Sequence, residues 1–212
     1  MGKNEIDLMV LGVLLRSPAH GYQIKKRIAA TFVDQYPGGQ YQSISDSTIY
    51  PRLSRLEKEG FVKCRLEIQS NAPNKKIYQL TESGCEQMQK LIATPIDFKG
   101  KVRPNDAQDL IVHVMFFQFI TKDERRKVVE PFLAYVKERY EDAAAKMEKF
   151  KGQLGPFPLL LLEFGKPTLE NQMNFLQKLM DVDFQAKPLK ELYREAMASA
   201  MSARHNSSEN QA

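Results

Sequence analysis

The chain has no tryptophan, three histidines and two cysteines in 212 residues. Cys64 and Cys85 stand alone, so no disulfide framework exists, and both thiols read as small apolar packing groups in a reducing compartment. His20, His113 and His205 lie far apart, and with two isolated cysteines they make no metal site of recognisable spacing. Long apolar runs are lacking as well. The stretch from Phe157 to Leu162 falls far short of the roughly 20 residues that span a bilayer. Leu8 to Leu15, followed by Ser17, Pro18 and Ala19, has the outline of a signal peptide, but Glu5 and Asp7 stand where such a peptide carries positive charge. The expectation is a cytoplasmic protein without membrane contact. Catalytic constellations are missing too. Gly165-Lys166-Pro167-Thr168 has the outline of a P-loop end, yet Pro167 separates the lysine from the threonine, and position 160 is leucine where the motif requires glycine. The sequence therefore reads as a non-enzyme, with no catalytic residues, no cofactor and no metal.

What is present is a net charge of +5 that is unevenly placed. Up to Ala93, 13 Lys/Arg face 9 Asp/Glu; from Thr94 onward the count is 18 against 17. The surplus in the first half favours an anionic partner there. The central stretch runs from Ser45 to Val62, SDSTIYPRLSRLEKEGFV. Ile49, Leu53 and Leu56 recur at helical spacing, while the other face near the start carries Ser47, Thr48, Pro51, Arg52 and Arg55. Proline is tolerated in a first turn, so the helix is expected to begin at Ser47 or Thr48, with hydroxyls capping backbone N–H groups and Gly60 ending it. Such a helix suits a DNA major groove. An ordinary amphipathic surface helix is the bland alternative.

Two helices precede it: Glu5–Arg16, and His20–Phe32 with Tyr22, Ile24 and Ile28 as apolar contacts. A loop over 34–41 contains Pro37-Gly38-Gly39. Beyond Gly60 the period changes to two. Val62, Cys64, Leu66 and Ile68 alternate with charged residues, a turn over 69–74 follows, and Lys76–Leu80 forms a second strand. Three helices and a hairpin make a winged helix-turn-helix, with Lys75 and Lys76 at the hairpin tip where a phosphate contact belongs. Thr81 caps a fourth helix.

Three blocks, LGVLLRSPAHGYQIKKRI, STIYPRLSRLEKEGFV and NAPNKKIYQLTESG, resemble the PadR family of bacterial transcriptional regulators in order and spacing, over nearly all of residues 6–84. The resemblance implies a DNA-binding regulator, a repressor by family habit, and joins Tyr22, Tyr50 and Tyr78 from the matching blocks to Ser47, Thr48, Pro51, Arg52, Arg55, Lys75 and Lys76 as the expected DNA-binding set. For Tyr50, packing and a hydroxyl-to-phosphate contact are both open.

After a linker over 94–105, the second half reads as helical throughout. Asp106–Ile120 is apolar nearly all round; Thr121 opens a long helix to about Lys151; Leu159–Phe164 is a helix turn or packed loop; and Thr168–Met180 and Lys187–Ala203 are amphipathic helices. The whole is mainly α with a small β-hairpin wing: a winged helix-turn-helix over 1–93, a linker over 94–105, an all-α antiparallel helical domain for dimerisation over 106–203, and a disordered tail over 204–212. From Val102 to Phe132 this half resembles the helical domain with which one PadR subfamily dimerises, although the tryptophan common in that family's last helices is absent. The resemblance further implies release from DNA by a small aromatic ligand, for which His113, Phe116 and Phe117 are candidate contacts, weighed against a plain core role. The expected partners are double-stranded DNA and a second copy of the chain. A non-specific architectural DNA binder and a helical protein-interaction adaptor are the alternative functions.

Overall fold

The computed structural model describes residues 3–33, 44–68, 74–96, 106–150 and 152–198. The expected loop over 34–41, most of the expected turn over 69–74, most of the linker and the expected disordered tail lie outside them. Among the described residues, no helix is long and apolar enough to cross a membrane.

Helix α1 spans Lys3–Arg16 and strand β1 spans Ala19–His20. Helix α2, Gly21–Ile28, runs on into a π-helical turn, Ala29–Val33. Helix α3 is Asp46–Lys58, strands β2 and β3 are Val62–Glu67 and Lys75–Leu80, and helix α4 is Glu82–Ala93. The hairpin read from the alternating pattern is present, but the sheet has three antiparallel strands in the order β1-β3-β2. Ala19 pairs with Tyr78 and His20 with Ile77. Two residues are too few to show a period of two, so β1 was invisible in the sequence. It fixes the turn before α2 to the root of the wing. Thr81 caps α4 through a hydrogen bond from Gly84 N at 3.0 Å.

Three elements depart from expectation. Helix α3 starts at Asp46, so Pro51 sits at its sixth residue rather than in its first turn. Proline there removes one donor to the Ser47 carbonyl, a loss the exposed side of the helix leaves to water. The side chain at the N-cap, Ser45, caps no backbone N–H; its hydroxyl meets Ser47 Oγ at 2.8 Å and Thr48 Oγ1 at 2.9 Å. Gly60 does take positive φ, +78°.

Helix α5, Asp106–Val114, stops six residues before the expected Ile120, and Phe117–Phe119 form a 3-10 turn. The break lets the apolar ring of residues turn inward: Phe116 packs 5.9 Å from the Phe32 ring and Phe119 is 6.5 Å from Phe116. Helix α6, Lys122–Lys149, opens with the expected capping box between Thr121 and Glu124.

Helix α7 runs unbroken over Pro156–Asp181, so Leu159–Phe164 is neither an isolated turn nor a loop, and Pro167 lies inside. The proline leaves the Glu163 carbonyl without its usual donor, while Thr168 Oγ1 donates to the neighbouring Phe164 carbonyl at 3.0 Å. α6 and α7 form an antiparallel pair, tied by Tyr140 Oη to Glu170 Oε1 at 2.8 Å and by Arg125 Nη2 to the Val182 carbonyl at 2.8 Å.

A last helix, α8, is described over 189–198. It folds back on the winged helix. Tyr193 Oη donates to the Leu80 carbonyl at 3.1 Å, Lys190 pairs with Glu86 at 2.6 Å, and Arg194 pairs with Glu82 at 3.1 Å. One continuous hydrophobic core runs from Leu8 and Met9 of α1 through Leu53, Leu56, Leu80 and Met88 to Phe116, Ile120 and Val128. α1 lies at its centre, with Leu8, Leu11 and Leu14 fully enclosed.

Candidate nucleic-acid interface

Helix α3 buries Ile49, Leu53 and Leu56 and leaves Ser47, Tyr50, Pro51 and Ser54 exposed, with Thr48 half-buried at the edge. That division is the direct result of the 3.6-residue period in its sequence. On one side of the exposed strip, α3 faces the start of α2 and the root of the wing. There His20, Gly21, Tyr22, Tyr50, Ser54, Lys75, Lys76 and Tyr78 line a concavity of about 410 Å³.

Local sequence builds each wall. His20 is the N-cap of α2: the Gln23 amide donates to His20 Nδ1, and the His20 amide donates to Gln23 Oε1, both at 3.4 Å. Its ring stacks on Tyr22 at 6.3 Å. Tyr22 is 66% exposed rather than an apolar core contact. Gly21 is needed because a Cβ there would stand 2.5 Å from Tyr50 Cε1, so the glycine lets the Tyr50 ring close against α2. Tyr78 is buried, and that burial, with Cys64, Glu57 and Tyr50 nearby, pushes its phenol above the ordinary value. It therefore stays a neutral hydroxyl able to donate or accept. Lys75 and Lys76 are both exposed at the start of β3. Lys25 reaches Asp46 at 2.7 Å and pins α2 to the first turn of α3.

Of the residues expected to touch DNA, Tyr22, Tyr50, Lys75, Lys76 and Tyr78 share this concavity, and Ser47, Thr48 and Pro51 continue along the start of the same helix. Arg52 and Arg55 stand on the other side. Arg52 Nη1 lies 3.4 Å from Asp7 Oδ1, and Arg55 binds Asp7 Oδ2 through Nη2 and Glu59 through Nη1 at 3.0 Å. The Asp7 hydrogen bond leads the causes that raise the Arg55 guanidinium further above its ordinary value. With Asn4 and Pro51 these residues border a second cleft of about 400 Å³. The sequence pattern does not show Asp7 as the partner of Arg55, nor Ser54 and His20 in the concavity. The available signal is a second acidic residue, after Glu5, next to the apolar run from Leu8 to Leu15, and a carboxylate buried there must find a cation.

The three candidate ligand contacts lie inside the core. His113 is 2% exposed; its Nδ1 donates to the Ile92 carbonyl at 3.1 Å, and Nε2 faces Glu5 Oε1 at 3.6 Å. Burial pushes the Glu5 carboxyl upward, but His113 and the Glu5 backbone amide more than offset it, so it sits below its ordinary value. Phe116 rests on α1, where a Cβ on Gly12 would meet its ring at 2.3 Å. The cleft beside it measures about 90 Å³. A larger cavity of about 540 Å³ lies elsewhere, between α4, Phe119, the start of α6 and residues 186–190. Cys85 lines it with a thiol that burial pushes up to about 11. Among the described residues there is no group of three or more side chains placed to hold a metal ion.

A helix presented beside a lysine-tipped hairpin, over a shared three-stranded sheet, defines a winged helix-turn-helix domain of the DNA-binding regulator class. Residues 10–90 match the transcriptional regulator PadR-like family, and the chain carries a PadR-like domain. Over 179 residues the chain is 25% identical to the negative transcriptional regulator PadR of Bacillus subtilis, covering 82% of this chain and 92% of that one. Among solved structures, it is similar to Bacillus subtilis PadR in complex with operator DNA, with 23% identity, 82% and 96% of the two chains covered and a TM-score of 0.38. It is also similar to Bacillus subtilis PadR in complex with p-coumaric acid, with 22% identity, 86% and 99% covered and a TM-score of 0.35.

Proposed function

We propose that this protein is a sequence-specific transcriptional repressor that binds a pseudo-palindromic operator as a homodimer. The observation that carries the reading is the convergence on one face of the exposed strip of α3, the α2 corner at Tyr22 and the wing lysines around the 410 Å³ concavity. Hydroxyls and aromatic edges there suit base edges and sugars, and the lysines suit phosphates. In this reading residues 1–93 supply DNA contact and 106–203 supply dimerisation. Two half-sites about one helical turn apart, or a multiple, follow from a two-fold dimer. The related negative regulator supports repression. Dimerisation draws support from Phe157, Leu160, Leu161 and Phe164, which are exposed on the first half of α7. A contiguous apolar strip on a monomer's surface marks an interaction site.

The test is a mobility-shift titration on the DNA upstream of the protein's own gene, with unrelated duplex as competitor. Selective retention supports the reading. Binding without preference would make the protein an architectural DNA binder, and no binding at either DNA would make it an adaptor that keeps a winged helix as scaffold.

A small aromatic effector is the second part of the proposal, and the 540 Å³ cavity favours it. Its size lies in the range of small-molecule sites, and it joins α4 of the winged helix to the segment that leads into α8. An effector must bind the DNA-incompetent arrangement more tightly to release DNA. A thermal-shift screen of phenolic acids, flavin-like and planar cationic compounds, followed by operator release, tests it. Stabilisation blocked by filling the cavity, for example with Gln89→Trp, would locate the site.

A further inference from the structure

We propose that Asp7 is a selectivity residue: by holding Arg55 and Arg52 against α1, it withholds recognition-helix cations from DNA phosphates. The inference rests on the DNA-binding reading above and goes beyond it. The geometry is specific. Asp7 is 6% exposed, inside a helix whose neighbours Leu8, Met9 and Val10 are fully enclosed. Its two carboxylate oxygens are divided between two guanidiniums one turn apart on α3, Oδ1 to Arg52 and Oδ2 to Arg55. A carboxylate enclosed to that degree is stable there only while its cations stay with it. The arginines are therefore held by a buried anion, whereas an exposed partner such as Glu59 exchanges easily with water and salt.

The placement matters because Arg55 is still 41% exposed and borders the same exposed strip as Pro51. An arginine in that position reaches for any phosphate, irrespective of sequence, and each such contact raises affinity for all DNA alike. Binding through the concavity on the opposite side of the strip is then left to decide where the protein rests. Suppressing the general attraction is as effective for discrimination as strengthening the specific contact. Asp7 also orients α3 on α1, so its removal is checked for a stability effect separately from its effect on DNA.

The experiment measures affinity for a duplex of random sequence as a function of salt, for the full chain and for Asp7→Asn and Glu59→Gln. In Asp7→Asn, released arginine is expected to steepen the slope of log affinity against log salt by about one and to raise affinity several-fold at low salt. Glu59→Gln leaves Asp7 in place and is expected to keep the original slope. Asp7→Glu, which restores the charge, is expected to return most of the way to it. An Asp7→Asn protein that melts cooperatively yet keeps the original slope overturns the proposal, as does a steeper slope in Glu59→Gln. If Asp7→Asn does not fold, the unaltered protein decides: the Arg52 and Arg55 guanidinium Nε–H signals in a 1H–15N spectrum are expected to stay in place as random duplex is added. Movement of those signals at saturation overturns the inference. If the unaltered protein binds no duplex of any sequence, the DNA-binding reading itself is what fails.

Discussion

Single residues set the shape of the candidate interface, and glycines do so by what they omit. A Cβ on Gly84 would stand 1.9 Å from the Phe61 carbonyl oxygen, which is backbone and cannot swing aside. Gly84→Ala is expected to destabilise the fold by about 3 kcal/mol, near the top of the range for overpacking, because α4 must shift against the strand that enters the wing. Chemical denaturation would show it as a lowered midpoint with an unchanged slope. The wing lysines act through charge instead. Lys75→Ala and Lys76→Ala are each expected to reduce the steepness of the salt dependence of DNA binding by about one, equally on operator and on unrelated duplex. A salt titration of the double variant that superimposes on the unaltered protein would take the wing off the DNA. At this scale the sequence was legible where a residue type has one dominant reason for its place, as with Thr81 at the head of α4 and Gly60 at the end of α3. It was not legible where a polar side chain finds its partner across the fold. Asp7 and Arg55 are 48 positions apart, and no local pattern joins them.

At the scale of elements, periodicity predicted the buried face of α3 but only the inward Val62 of β2, since Leu66 and Ile68 of the same alternating set are 58% and 81% exposed, and prolines misled. Pro51 and Pro167 lie inside helices because each costs one hydrogen bond, which packing of the remaining turns outweighs. The early end of α5 was hidden for the opposite reason. Its apolar residues continue without a break signal, and only the demand of Phe116 and Phe119 for the core beside α1 turns the chain. Helix α7 carries the plainest test of assembly. Leu161 is 73% exposed on the strip with Phe157 and Phe164, so Leu161→Glu is expected to shift the protein toward monomer in sedimentation without lowering its melting temperature. The contact between α1 and α5 should depend on pH. Glu5 has its pKa lowered in the folded chain, so its contribution is fully present above the ordinary value of 4.5 and is lost as pH falls through the lower folded value. The difference in melting temperature between the unaltered protein and Glu5→Gln should be largest near neutrality and close below pH 4.5.

The molecule as a whole is less divisible than its sequence suggests. Composition separates a basic first half from a balanced second half, and a Pro/Gly-containing stretch lies between them, yet Glu5 meets His113, Gly12 seats Phe116 and Leu80 accepts a bond from Tyr193. A fragment ending at residue 93 would bare the side of α1 that Phe116 covers. It is expected to melt well below a fragment ending at 120, and both are expected to sediment as monomers, since neither contains α7. Circular dichroism and sedimentation of the two fragments would decide both points. The central position of α1 also has a meaning in time. The helix leaves the ribosome before α5, and the residue that faces Glu5 is made 108 positions later, a delay of roughly 5–20 s at ordinary rates of synthesis. Through that interval a nascent chain carries an apolar helix whose neighbour α5 does not yet exist. Translation speed across α2 to α5, and any chaperone that shelters the first sixteen residues, therefore bear directly on how much active regulator a cell obtains.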